Sequence, residues 1–173
     1  MIYPARRYPD GGTSGGIFFL KTMPQITIYT DGSSRGNPGP GGYGVVLLSG
    51  KYRKELSQGY RLTTNNRMEL LGVIVALEQL KIEGSDVTIY SDSKYVVESV
   101  TKGWVWGWVK KRFAGKKNAD LWIRFLKIYP HHKVQFVWVK GHADTVENNR
   151  CDALAVAAAE NKAALLEDVG YQP

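Results

Sequence analysis

The chain is 173 residues long, room for one domain with a single core and too little for a multidomain machine. Hydrophobic residues at 43% and charged residues at 23% exclude a disordered, collagen-like or repeat chain. Lys and Arg outnumber Asp and Glu 23 to 16, and the resulting +7 points to a polyanionic partner, nucleic acid ahead of an acidic membrane surface.

Cys151 is the single cysteine, so no disulfide forms within the chain, in keeping with a reducing compartment. No apolar run approaches the ~18 residues of a membrane helix. Ile17 to Leu20 is shorter than the roughly 7 to 15 residues of a signal-peptide core, so the expected address is cytoplasmic, with no membrane contact. Residues 1–24 carry Arg6, Arg7 and the glycine-rich stretch Asp10 to Gly16 without periodicity. They read as a flexible extension to a domain spanning 25–173, either a true tail or residues ahead of an internal start at Met23.

From Gln25 the pattern sharpens. Ile26, Ile28 and Thr30 alternate with Thr27 and Tyr29, a strand that stops at Asp31-Gly32-Ser33. Asn37 to Gly42 reads as a turn-rich loop, followed by strand-like runs Tyr43 to Leu48 and Tyr52 to Tyr60 joined at Ser49-Gly50. Thr63 to Asn66 offers helix caps, with Glu69 placed as the acid of a capping box on Asn66. The helix that follows carries a core stripe of Leu70, Val73, Ile74, Leu77 and Leu80. The recurrence of Gly72 and Ala76 beside Glu69 predicts close packing on a sheet there.

Asp86 to Ser91 is a strand closing on Asp92-Ser93, a cap for a helix from Lys94 to about Lys102. Trp104 to Phe113 is short, basic and aromatic, and Asn118 to Tyr129 is helical. Lys133 to Lys140 is a strand with both faces largely apolar, Gly141 to Thr145 is a loop, and Val146 to Asn161 is a closing helix. The order β-β-β-α-β-α-α-α-β-α predicts an α/β fold with a mixed five-stranded sheet, an antiparallel meander plus parallel strands, flanked by helices.

Asp31 and Asp92 end predicted strands, where open α/β sheets place their ligands. Each alone reads more readily as a turn-former or cap, and Glu69 alone as a capping residue. The joint pattern weighs more. Tyr29-Thr-Asp-Gly-Ser33 with Gly36-Asn-Pro-Gly39, Thr63-Thr-Asn-Asn-Arg-Met-Glu69, Tyr90-Ser-Asp-Ser93, Val139-Lys-Gly-His142 and Asn149-Arg-Cys-Asp152 follow one another in order. Together they closely resemble bacterial type 1 ribonuclease H, from about Pro24 to Gln172, and imply its fold.

The resemblance implies an endonuclease that hydrolyses the RNA strand of an RNA/DNA hybrid, leaving 3′-hydroxyl and 5′-phosphate ends. It carries over Asp31, Glu69, Asp92 and Asp152 as metal ligands. Four acids with ordinary pKa values near ~4 cannot share a small site as anions without cations, and oxygen donors suit Mg²⁺, with Mn²⁺ as a substitute. Asp31 is expected to be shared by two ions about 3.5 to 4 Å apart, one held with Asp152 and the other with Glu69 and Asp92. His142 is implied in relaying a proton or helping product leave.

Six basic residues and no acidic one lie between Ser99 and Ala119, interleaved with Trp104, Trp106, Trp108 and Phe113, a composition that suits phosphates and sugars. In the family this segment is a basic protrusion. Trp104 and Trp108 match its DNA-channel aromatics, Lys110 and Lys111 supply charge, and Thr64 and Asn118 match a pocket for a DNA phosphate. Leu62 stands where the family often has a basic residue, with Arg61 beside it. Asn37, Asn65 and Asn66 are expected on the RNA side. The resemblance suggests a monomer. The rival readings are a non-catalytic hybrid-binding module, or another nuclease of the same superfold.

Overall fold

The computed structural model describes residues 22–140 and 145–173. The expected extension therefore falls almost wholly outside the described residues, and His142 falls outside them entirely.

Five strands form one sheet. They are β1 (Gln25–Ser34), β2 (Gly39–Ser49), β3 (Tyr52–Thr63), β4 (Asp86–Ser91) and β5 (Lys133–Trp138), in the spatial order β3-β2-β1-β4-β5. β1 to β3 are the antiparallel meander, while β4 and β5 join parallel to β1 and to each other. The helices are α1 (Asn65–Glu78), α2 (Lys94–Thr101), α3 (Trp104–Lys110), α4 (Ala119–Ile128) and α5 (Val146–Glu160), with short 3₁₀ turns at Tyr129–His131 and Lys162–Ala164. The α/β class and element order match the sequence reading.

α1 covers one face of the sheet and α5 the other, as the alternation in β2 shows. Tyr43 and Val45 meet α1 at Gly72, whereas Gly42 and Gly44 lie against α5. A methyl group on Gly42 would sit 2.7 Å from the Ala155 carbonyl, and one on Gly44 would collide with that of Cys151. This close approach corrects the expectation of a loop through Gly42. Glycines that usually break a strand let β2 begin at Gly39, because backbone occupies the space their side chains would fill: that of Arg35 at Gly39, of Ser33 at Gly41, and of α5 at Gly42 and Gly44.

The core between the sheet and α1, α2 and α4 is built from Ile28, Val45, Leu70, Ile74, Leu77, Ile89, Trp122 and Phe125, among others. Leu80, expected in the same stripe, is only partly buried. β5 differs more from its sequence reading. Its apolar alternation predicts burial on both faces, but it ends at Trp138 as the sheet's edge strand, and none of its residues is fully buried.

Candidate active site

The sheet itself brings the carboxylates together. The last in-register parallel pair of β1 and β4 is Thr30 with Ser91, so the next residues, Asp31 and Asp92, leave adjacent strands at the same level. β1 then continues to Ser34, paired only with β2. Asp31 thus lies within a strand, not at its end, and the break is in the parallel half of the sheet. Residue 92 is held from two sides: the Trp138 indole Nε1 donates to its carbonyl at 3.1 Å, and Ser93 caps α2 by accepting from the Val96 amide at 3.3 Å.

Glu69 comes from α1. The helix cap is Thr64, whose hydroxyl accepts from the Arg67 amide, so the third helical position belongs to Arg67 and Glu69 closes no capping box. It lies instead against β1, where Gly32 allows contact: a methyl group there would stand 2.5 Å from the Glu69 amide nitrogen.

Carboxylate oxygens of Asp31, Glu69 and Asp92 lie within 4.8 Å of one another. Glu69 is 5% and Asp31 8% exposed. Asp31 Oδ1 accepts from the Gly32 amide at 2.7 Å and Glu69 Oε1 from Asn65 Nδ2 at 3.3 Å, while Glu69 Oε2 is buried with no hydrogen-bond partner among the described residues. Burial, then the Asp92 charge, pushes Asp31 up to about 7 against the opposing Gly32 hydrogen bond, with Asp152 adding to the rise. Burial, then Asp31 and Asp92, holds Glu69 well above the usual carboxylate range. Asp152 stands half-buried in α5, outside the group of three but near enough for its charge to act on Asp31.

Hard oxygen donors crowded out of water, one oxygen having no protein partner, suit a divalent cation and poorly suit anything neutral. Among the described residues no Arg or Lys forms an ion pair with Asp31 or Glu69, and the neighbouring buried Arg67 is bound to Asp120 and Asp168.

The expected substrate contacts divide. Asn37, Thr64, Asn66 and Asn118 line one cleft of about 630 Å³, together with Tyr95, Arg67, Lys117 and the segment Tyr171 to Pro173. Asn65 faces the acids instead, through its bond to Glu69. Trp104 is 46% exposed on α3, with Lys102 Nζ 5.2 Å from its ring centre. Trp108 is half-buried, edge-on to Trp122, with Lys116 above it. Lys110 ends α3 and Lys111 follows it, both exposed. Sequence reasoning missed Tyr95 and Arg67. Neither carries a spacing signal, since each acts through partners distant in the sequence, on α4 and in the C-terminal segment.

A five-stranded mixed sheet with a cation-ready acid cluster at the break between parallel strands and a basic cleft beside it defines a metal-dependent nuclease. Residues 23–160 match the RNase H family model. The chain is 55% identical over 153 residues to the Ribonuclease H of Trichodesmium erythraeum, covering 86% of this chain and 96% of that protein. It is 52% identical over 172 residues to that of Syntrophus aciditrophicus, with 96% of each covered. Among solved structures it resembles LC9-RNase H1, described as a type 1 RNase H with the type 2 active-site motif, at TM-score 0.72 and 32% identity over 80% of this chain and 73% of that one. It also resembles LC11-RNase H1 solved in complex with an RNA/DNA hybrid, at TM-score 0.54 and 28% identity over 78% and 96%. The chain belongs to the RNase H family. It is accordingly a hydrolase, an endonuclease for the RNA strand of RNA/DNA hybrids, in a family that works by two-metal catalysis.

Proposed function

We propose that this chain cuts hybrid RNA with Mg²⁺ held by Asp31, Glu69, Asp92 and Asp152, acting as a cytoplasmic monomer. The observation that supports it best is the cluster of three acids within 4.8 Å with an unpartnered buried oxygen. When bound, the cations lower the pKa of the attacking water and offset charge building on the leaving 3′ oxygen.

The chain's own residues supply the rest. Asp31, fixed by the Gly32 amide, would be the carboxylate that holds the cations together with the other acids. Glu69 is oriented by Asn65, which couples the acid cluster to the polar N-terminus of α1. His142, which follows β5 in the sequence, is assigned the proton for the departing oxygen. Trp104, Trp108, Lys110 and Lys111 hold the DNA strand by sugar and phosphate contacts, Thr64 and Asn118 take one of its phosphates, and Asn37, Asn65 and Asn66 face the RNA. No helix among the described residues is long and apolar enough to cross a membrane.

The test is cleavage of matched RNA/DNA, RNA/RNA and DNA/DNA duplexes with and without Mg²⁺. The proposal expects the RNA of the hybrid alone to be cut, and only with metal. Cutting in the presence of chelator, or of all three duplexes, contradicts it.

A further inference from the structure

We infer that the charged network of Glu147, Arg53, Glu55 and Arg150, which ties β3 to the first two turns of α5, is a positioning device: it sets the roll of α5 and thereby aims Asp152 at the other acids. The inference rests on Asp152 being a cation ligand, as proposed above.

Asp152 is the one expected ligand that the sheet and α1 do not place. Asp31 and Asp92 leave parallel strands in register and Glu69 abuts Gly32, whereas Asp152 is carried in by α5, outside the group of three. Its position therefore follows the helix. Glycine sets how close α5 lies, since methyl groups on Gly42, Gly44 and Gly59 would meet the carbonyls of Ala155, Cys151 and Ala158. Smooth contacts of this kind bring backbones together but resist rolling about the helix axis poorly. Asp152 is two residues beyond Arg150, about 200° further round the helix, so the flank that meets β3 and the flank that bears Asp152 are opposite. A roll of about 10° carries a carboxylate at the ~6 Å side-chain radius by about 1 Å, beyond the ~0.5 Å within which a working ligand must be held.

Directed bonds fix that roll. Arg53 Nη1 donates to both oxygens of Glu147 at 2.7 Å, and Arg53 Nη2 donates to Glu55 Oε1 at 2.9 Å. Arg150 grips the same Glu55 from the helix, through Nε at 3.0 and 3.1 Å and Nη2 at 2.8 Å. Arg53 and Glu55 stand two apart on a strand, and Glu147 and Arg150 three apart on a helix, so each pair shares one face and the signs alternate across the gap. The two guanidinium groups, Arg150 ahead of Arg53, hold the Glu55 carboxyl down to about 2, so the network stays charged near neutral pH. The four side chains are 23% to 48% exposed, and pairs of this kind contribute little to stability. Two-pronged arginine contacts specify orientation all the same. On the face turned to the sheet, Cys151 Sγ donates to the Tyr29 carbonyl at 3.2 Å, a second fixed point between the network and Asp152.

The test follows single-turnover cleavage of hybrid against Mg²⁺ concentration and, apart from turnover, the Mg²⁺ titration of the Asp152 carboxyl-carbon resonance by NMR. Glu55→Gln should raise the half-saturating Mg²⁺ about fivefold in both readouts, with the rate at saturating Mg²⁺ within about twofold of wild type and Tm within about 3 °C. Arg150→Lys keeps the charge but loses the two-pronged grip, and should show at least about half of that shift. Glu160→Gln, which breaks the pair with Arg35 at the far end of α5, should match wild type. In an Asp152→Asn background, adding Glu55→Gln should move the half-saturating Mg²⁺ for cleavage by less than about 1.5-fold. The inference is overturned if Glu55→Gln leaves both titrations unmoved, if Arg150→Lys matches wild type, or if the Glu55→Gln shift survives in full without the Asp152 carboxylate. If Asp152→Asn by itself leaves the rate and its Mg²⁺ dependence unchanged, Asp152 is no ligand and the underlying reading fails instead.

Discussion

Two residues apart on α1, the chain buries two opposite charges and treats them differently. Arg67, 2% exposed, meets two carboxylates with four hydrogen bonds, and Asp168 is further fixed by the Thr63 hydroxyl at 2.7 Å. Glu69, 5% exposed, lies among other acids, with the Asn65 side chain and the Gly32 backbone opposing the rise in its pKa and no described cation paired with it. The first cluster satisfies itself and ties α1 to α4 and the C-terminal segment. The second gathers like charges, and one of its oxygens, Glu69 Oε2, has no hydrogen-bond partner among the described residues. Burial alone does not mark a functional charge; burial among like charges does.

The comparison breaks most visibly at Asp31. Asp31→Asn removes the carboxylate common to the cluster, and single-turnover cleavage should fall at least roughly a thousandfold, about 4 kcal/mol of barrier, while affinity for the hybrid stays within a few-fold. Near-normal turnover would end the metal assignment. On the other side of α1, Arg67→Met strands two acids against a buried hydrocarbon. Urea unfolding should report a loss of about 3 to 5 kcal/mol, part of it recovered when Asp168→Asn is added.

The acid cluster also makes stability depend on pH. Asp31 and Glu69 titrate above their unfolded values, so the native state retains protons that the unfolded chain releases. The contribution of Asp31 is complete below about pH 4 and is lost as pH rises toward about 7, that of Glu69 declines in the same direction, and the metal-free protein should become less stable over that window. Thermal melts in chelator at pH 5 and pH 8 check it, with Asp31→Asn raising stability at pH 8 by on the order of 2 kcal/mol. A flat profile would remove the electrostatic argument. The smallest effect belongs to an exposed pair: Glu78→Gln, which breaks the bond to Arg124, should cost less than about 1 kcal/mol in the same urea assay.

Much of this was legible in advance, because period-two alternation and caps are local signals. β4 runs from Asp86 to Ser91 as its pattern predicts, and α1 buries Leu70, Val73, Ile74 and Leu77. Asp31, Glu69 and Asp92 were legible as a set only through their motifs, since no spacing rule brings a strand interior and a helix turn together. What failed was set by distant partners. Gly39 to Gly44 is strand because the backbones of Arg35, Ser33 and α5 press against its glycines, β5 is exposed because it is an edge, and Glu69 is no cap because Thr64 is. Arg67 and Tyr95 were invisible because their meaning lies in Asp168 and Trp122.

The central claim is that the acid cluster exchanges protons for a divalent cation. Calorimetric titration with Mg²⁺ near pH 6.5, repeated in buffers of different ionisation enthalpy, measures that exchange directly. Wild-type protein should release protons on binding, and Asp31→Asn should bind more weakly with most of that release gone. Binding without proton release, or equal affinity in the variant, would contradict the account.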